Sequence, residues 1–342
     1  MQLYRLAILA LALPASAPAQ WTYVESGTAA ELRGLSIGPA GVAWASGASG
    51  TVLRSTNGGE TWQSIPVAGA QHLDFRAIRA SGTQSAIVVS AGEAEKGLAR
   101  IYRTRDGGRH WSLVYTTALR GAFLDAMAFW DVRNGMVLGD PIDSVFFLLR
   151  TTDGGASWAR VPRRRLSRVL PGEAAFAASG SVLVADEGRD VWIGTGGGGR
   201  ARVMRSTDRG ATWSVADTPL HAEGAAAGVF SLAFRDRMHG VAVGGDYTKP
   251  RLAAASVALT DDGGATWRAA KAPPAAYLSC VAYAGPRDRL VAVGLAGTFV
   301  SRDGGDSWTQ TDSVPLNTVG FRERFGIAVG PRGRIARMVL YP

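Results

Sequence analysis

Six times in this chain a polar, turn-rich run ends on a tryptophan. The runs are STNGGETW (55–62), TRDGGRHW (104–111), TTDGGASW (151–158), STDRGATW (206–213), TDDGGATW (260–267) and SRDGGDSW (301–308). Each reads Ser or Thr, any residue, Asp or Asn, any residue, Gly, any residue, then Thr, Ser or His before Trp. The closing residues Trp62, Trp111, Trp158, Trp213, Trp267 and Trp308 are spaced 49, 47, 55, 54 and 41 residues apart. A period of this size marks solenoids or propellers.

The segments between the boxes decide between the two. Residues 32–67 break into LRGLSIG, GVAWASG, GTVLRST and TWQSIPV. Each piece is short, alternating or apolar, and bounded by Gly or Pro, which predicts four strands joined by tight turns. Residues 280–311 divide the same way. Four-stranded units at this period are propeller blades, so the expected fold is all-β.

In such a blade the box is the hairpin between the third and fourth strands. Its Asp or Asn can accept hydrogen bonds from turn N–H groups, and its Ser or Thr can do so more weakly. Its Gly supplies positive φ. The Trp is expected to fold back over the turn and bury its ring against its own blade. This assigns structural work to Asn57, Asp106, Asp153, Asp208, Asp262 and Asp303.

A seventh tryptophan sets the blade count. After the sixth box, LNTVGF, RFGIAVG and GRIARMVLYP supply three strands, and no box follows. Near the other end, QWTYVES (20–26) matches the outer-strand pieces TWQSIPV and HWSLVYT, and Trp21 precedes Trp62 by 41 residues. The strand after Trp21 should therefore complete the last blade, giving seven blades of about 46 residues each. The expected propeller spans 20–342.

On these boxes the chain resembles the Asp-box (BNR-type) propellers, and within them the photosystem II stability/assembly factor-like family. The segments GDP (139–141), RSTDRGATW (205–213) and VGGDY (243–247) carry the resemblance further. Bacterial relatives with such segments are often labelled oxidoreductase or glycosyl hydrolase. The photosynthetic members are non-enzymatic assembly factors that bind partner proteins. The resemblance implies a seven-bladed fold and a protein-binding or assembly role. Sialidases share the boxes, but their Arg-Ile-Pro motif is absent from this sequence.

Residues 1–19 read as a secretory signal: Arg5, an apolar run from Leu6 to Leu13, and small residues at Ala17 and Ala19. Cleavage is expected near Ala19, giving a periplasmic or secreted protein. The apolar run is shorter than the roughly 20 residues that span a bilayer, so no transmembrane segment is expected. Cys280 is the only cysteine, which rules out an intrachain disulfide, and its apolar surroundings predict a small core residue. Lys and Arg total 37 against 28 Asp and Glu, a formal charge of +9. For an exported chain this points to an acidic protein partner or an anionic glycan rather than nucleic acid. A monomer is expected.

Function is expected on the face opposite the boxes, where the loops joining strands two and three meet the crossings between blades. The segments 47–50, 294–297 and 330–333 are minimal, whereas 90–100, 139–145, 194–202 and 244–253 are longer and polar. These four belong to consecutive blades, two to five, and predict a one-sided rim. The crossings 71–76, 119–126, 163–176 and 218–230 add further polar residues, including His72 and His221. The candidate binding residues are Asp74, Arg76, Asp125, Asp140, Asp143, Glu173, Arg202, Asp246 and Tyr247. Their carboxylates could pair for acid–base work, hold a hard cation, or cap their own turns.

Two segments imitate other chemistry. GTGGGG (194–199) fits a dinucleotide fingerprint, but a strand-like RARVMRST follows where that site requires a helix. RRRLSR (163–168) is either an anion-binding patch or a solvated loop. The four histidines have no metal-ligand spacing. The reading is therefore a binding platform with no cofactor and no metal; the alternatives are a glycosidase-like enzyme using rim carboxylates, and a cofactor-dependent oxidoreductase.

Overall fold

The computed structural model describes residues 21–285 and 288–340; the expected export segment, 1–19, lies outside the described residues. The described residues form seven four-stranded antiparallel sheets, with almost no helix among them. The first strands of successive blades are Leu32–Ile37, Asp74–Ser81, Ala126–Phe129, Leu183–Ala185, Ala227–Phe234, Cys280–Tyr283 and Thr318–Arg322. They contact one another around the ring and line a central channel. In each of the first six blades the next three strands follow outward in chain order.

The seventh blade closes across the two ends of the chain. Thr22–Val24 pairs antiparallel with Ile335–Val339, placing Thr22 opposite Arg337 and Val24 opposite Ile335. Trp21 is buried, and its indole N–H donates to Thr298 Oγ1 of the sixth blade at 3.1 Å. Tyr23 reaches the same blade through Asp312, at 2.6 Å.

The core lies between blades. Seven apolar clusters each join two neighbouring blades, and together they account for all seven interfaces. A blade is therefore covered on both faces. That explains why strands such as Val145–Thr151, sequence VFFLLRT, are almost continuously apolar rather than alternating. Cys280 is buried on an inner strand.

The boxes form one hydrogen-bonded turn, repeated six times. In TTDGGASW the Thr151 hydroxyl donates to Asp153 Oδ1 at 2.7 Å and accepts from Gly155 N–H at 2.9 Å. Asp153 Oδ1 also accepts from the N–H groups of Ala156 and Ser157, at 2.9 and 3.0 Å, and Oδ2 accepts from the Ser157 hydroxyl at 2.6 Å. The hydrogen bonds to Asp262, that of the Thr266 hydroxyl foremost, hold its carboxyl at about 2, below the ordinary 3.8. In the second box His110 takes the place of the hydroxyl, pairing its ring with Asp106 Oδ2 at 2.6 Å.

The box tryptophans correct one expectation. Their rings do not rest on their own blade alone; they seat in the interface with the preceding blade. Trp158 packs in a cluster containing Ile87 and Ile101 of blade two as well as Phe129 and Val137 of blade three. Trp62 packs against Ile327 and Val329 of blade seven, which precedes blade one around the ring. Trp21 obeys the same rule, contacting Val291 and Val293 of blade six. The reason is the box glycine. Gly155 has φ +78°, and a Cβ there would lie 2.4 Å from Ile87 Cδ1; at Gly59 the neighbour is Ile327, at 3.0 Å. The turn is pressed onto the preceding blade, and the ring lies beside it.

This separates two substitutions in one box. Asp153→Ala removes a turn cap and is expected to cost about 1 kcal/mol. Gly155→Ala pushes a Cβ into the neighbouring blade at positive φ and is expected to cost more, about 2–3 kcal/mol. Urea unfolding of both variants measures the order. Equal costs would mean that the turn stabilises its own hairpin only.

Candidate functional site

At the end of the channel opposite the boxes the inner strands leave a cup of about 420 Å³. This is within the range of ligand pockets, roughly 300–1,000 Å³. All seven blades contribute: Arg33, Arg76, Asp125 with Asp140, Phe176, Phe230 with Tyr247, Tyr277, and Asn317.

Local backbone irregularity aims several of these side chains. Arg33 sits where pairing slips between Leu32 and Gly34, Arg76 between Phe75 and Ala77, and Phe230 between Val229 and Ser231. Asp140 occupies a fourth slip, between Gly139 and Pro141. A bulge puts one extra residue in the strand and turns its side chain off the regular alternation. The residue thereby points into the mouth while its neighbours stay in the blade interfaces.

The floor comes from a segment whose role is not evident in its composition. Ala177, Ala178, Ser179, Gly180 and Ser181 cross the channel on their way into blade four. The Ala177 and Ala178 carbonyls accept from Arg76 Nη1 at 3.3 Å and Arg33 Nη1 at 3.1 Å. The Ser179 hydroxyl donates to the Ser279 carbonyl at 2.9 Å, and the Ser181 hydroxyl meets that of Ser231 at 2.7 Å. The segment thus ties blades one, two, five and six together. The path runs against blade two, where a Cβ on Gly180 would lie 3.5 Å from Ala77 Cβ.

The two arginines of the cup are already partnered. Arg76 Nε donates to Asp74 Oδ2 at 2.7 Å, and Arg33 Nη2 to Glu31 Oε1 at 2.5 Å. The two carboxylates are not: among the described residues neither Asp125 nor Asp140 forms an ion pair. Asp125 is 2% exposed, and its Oδ2 is buried without a hydrogen-bond partner. Asp140 Oδ1 accepts one N–H, from Ala175 at 3.3 Å. Burial first, and then the charge of Asp140, hold the Asp125 carboxyl well above the ordinary carboxylate range, with Arg76 opposing. Burial also raises Asp140.

Aromatic rings make up the facing wall. Phe176 stacks on Phe230 with centroids 3.9 Å apart, and Tyr277 and Tyr247 meet Phe230 edge-on at 4.8 and 6.1 Å. Tyr277 is buried, which raises its hydroxyl, whereas Tyr247 is 48% exposed at the lip.

Of the nine residues singled out from the sequence, the structure brings Arg76, Asp125, Asp140 and Tyr247 into this cup, with Asp74 behind Arg76. The other four are engaged elsewhere. Glu173 accepts from the Thr195 hydroxyl at 2.6 Å, from Leu170 N–H at 2.7 Å and from Arg202 Nε at 2.9 Å, and makes a second contact with Arg202 Nη2. Asp246 caps its own turn through Thr248 N–H and hydroxyl, at 2.9 and 2.6 Å. Asp143 pairs with Arg163 at 2.7 Å on the surface.

The outline of the site also differs from the one-sided rim. Segment 139–145 is no loop: Gly135–Ile142 and Val145–Thr151 run on as a long hairpin turned by Asp143 and Ser144 alone, both at positive φ. Within 194–199, Gly194, Gly196 and Gly197 serve close packing. A Cβ on Gly196 would lie 2.4 Å from the Ala227 carbonyl of the next blade, and the chain then enters the strand Arg202–Ser206. Arg33, Phe176, Phe230, Tyr277 and Asn317 were missed by the sequence reading. A usable signal exists for two of them: Arg33 and Asn317 stand at or beside the start of a first strand, as Asp125 does.

Among the described residues no three His, Cys, Asp or Glu side chains converge as metal ligands. None of the described helices is long and apolar enough to cross a membrane.

No family model matches this chain, and no curated protein does. Solved structures share its fold at low identity. YCF48 bound to a D1 peptide superposes with a TM-score of 0.66 at 16% identity, over 98% of this chain and 100% of that one. YCF48 from Cyanidioschyzon merolae gives 0.64 at 15%, over 93% and 98%. A GH74 xyloglucanase from Xanthomonas campestris gives 0.60 at 18%, over 93% of this chain and 53% of that one.

Proposed function

We propose that this protein is an exported binding platform that takes a segment of a partner protein into the mouth of its channel, without chemical turnover. The observation that carries the reading is the cup itself: aromatic walls, a few fixed polar groups and a closed floor. Rigid rings on a preformed scaffold supply contact area at low ordering cost. The YCF48 structure solved with a peptide supports the reading from outside this chain, as does the assembly-factor resemblance of its boxes.

The test is selection of random dodecapeptides displayed on phage against the full chain and against Tyr247→Ala. Tyr247 stands at the lip, half exposed, so its removal leaves the fold in place. Enriched peptides are expected to bind the parent with roughly micromolar affinity and the variant about tenfold more weakly. No enrichment, or equal binding to both proteins, would refute the platform reading.

A second reading is favoured by one observation: two neighbouring carboxylates, both raised by burial, resemble the acid–base pair of a glycosidase. The xyloglucanase among the structural neighbours points the same way. Release of reducing sugar from xyloglucan, lost in Asp140→Asn, would establish that reading over the first.

A further inference from the structure

We infer that the cup admits a basic side chain of the partner, an ammonium or guanidinium group, against Asp125 and Asp140 and beside the rings of Phe230, Tyr247 and Tyr277. The inference rests on the proposed reading of the mouth as a segment-binding site, and it names what the segment must carry.

The argument begins with charge. The cup contains two arginines and two aspartates, which looks balanced. The pairing is not. Arg33 and Arg76 each hold one carboxylate, Glu31 and Asp74 respectively, and one backbone carbonyl, of Ala178 and Ala177. Glu31 and Asp74 stand outside the lining. Among the described residues that line the cup, the one buried side-chain N or O atom left without a hydrogen bond belongs to a carboxylate. A buried carboxylate oxygen with no hydrogen bond is costly, and Asp125 Oδ2 is such an atom. Two states relieve it: the pair keeps a proton, or a cation enters.

The surroundings select among ligands. Aromatic rings attract a cation through their negative faces, and they also pack the apolar stem of a lysine or arginine. A carboxylate entering instead would gain nothing from the pair, whose ionised form repels it, and each arginine of the cup already faces a carboxylate of its own. A neutral sugar could lie on the rings but would leave the carboxylates uncompensated.

Protons then enter the balance. The charged groups around Asp125 are Asp140 on the adjacent hairpin and Arg76 on the neighbouring inner strand; Arg33, Tyr247 and Tyr277 stand across the cup. Burial favours the protonated pair in the empty site. A cation favours the ionised pair, so its binding releases a proton to solvent and strengthens as pH rises.

The test uses n-butylguanidinium chloride as the probe and n-butylurea as its neutral isostere, each titrated into the full chain and followed by saturation-transfer NMR. The cation is expected to bind about tenfold more tightly than the urea, the scale of a charge-assisted contact. Its affinity should fall as pH is lowered toward the ordinary carboxylate range, and should be lost in both Asp125→Asn and Asp140→Asn. Equal affinity for the two probes on the unaltered chain overturns the inference without recourse to any variant. So does guanidinium binding that survives both substitutions. A selected peptide that the mouth retains but butylguanidinium fails to displace also overturns it, while leaving the platform reading intact. Butylguanidinium binding with no peptide retained supports the cation site and removes the platform reading.

Discussion

Deleting residues 21–26 is expected to lower the melting temperature by about 10 °C or more, because it opens the ring. The size follows from what the strand holds. Trp21 is buried in the interface between blades six and seven, and its indole N–H is bonded across that interface to Thr298. Emptying such a site costs about 3–5 kcal/mol for the ring alone. At about 2 °C or more per kcal/mol in a domain of this size, the side chain by itself accounts for most of the shift. The deletion also strips the pairing from Ile335–Val339 and leaves it as a bare edge. Concentration-dependent aggregation should therefore accompany the lower midpoint. Trp21→Ala isolates the side chain and should recover part of the loss. Calorimetry that finds the deletion melting with the parent would refute closure through the N-terminal strand.

Arg202→Ala is expected to destabilise the protein by about 3–5 kcal/mol, the usual result of leaving a buried charge without its partner. The Glu173 side chain has no exposed surface, and Arg202 covers it with two contacts. The remaining donors to that carboxylate, from Thr195 and Leu170, tie the crossing segment to the hairpin of blade four. Replacing both partners by apolar residues of similar volume, Glu173→Leu with Arg202→Met, should restore most of the loss, since the desolvated charge disappears with its partner. Denaturant midpoints of the single and double variants decide it. A single variant within about 1 kcal/mol of the parent, the scale of a surface pair, would free both residues for ligand contact.

Several features could be read directly because they are short-range and repeated. Within each box, eight residues contain the donor, the acceptor and the glycine that together make the turn. Their regular return fixes the period, and the period with Trp21 sets the number of blades. Asp153 and Asp208 therefore have the same bonding, although 55 residues separate them. Asp125 and Asp140 were legible as candidates because polar residues at loop and strand ends interrupt apolar runs. That neither forms an ion pair was not legible, since it depends on Arg33 and Arg76 choosing other partners.

The amino-acid sequence by itself determined the all-β class, the seven blades, the exchange of the terminal strand and the internal bonding of every box. All of these follow from local turn chemistry and counting. Tertiary structure alone decided that the box rings seal blade to blade, that 139–145 is a hairpin, that Ala177–Ser181 closes the channel, and that Arg33, Asp125, Phe230 and Tyr277 share one cup. Those residues stand roughly a blade or more apart in the chain, at the repeat period of about 46 residues. Each is aimed by a bulge or a crossing whose direction has no local signature. Only closure of the ring, which sets the width of the channel, brings them within reach of one ligand.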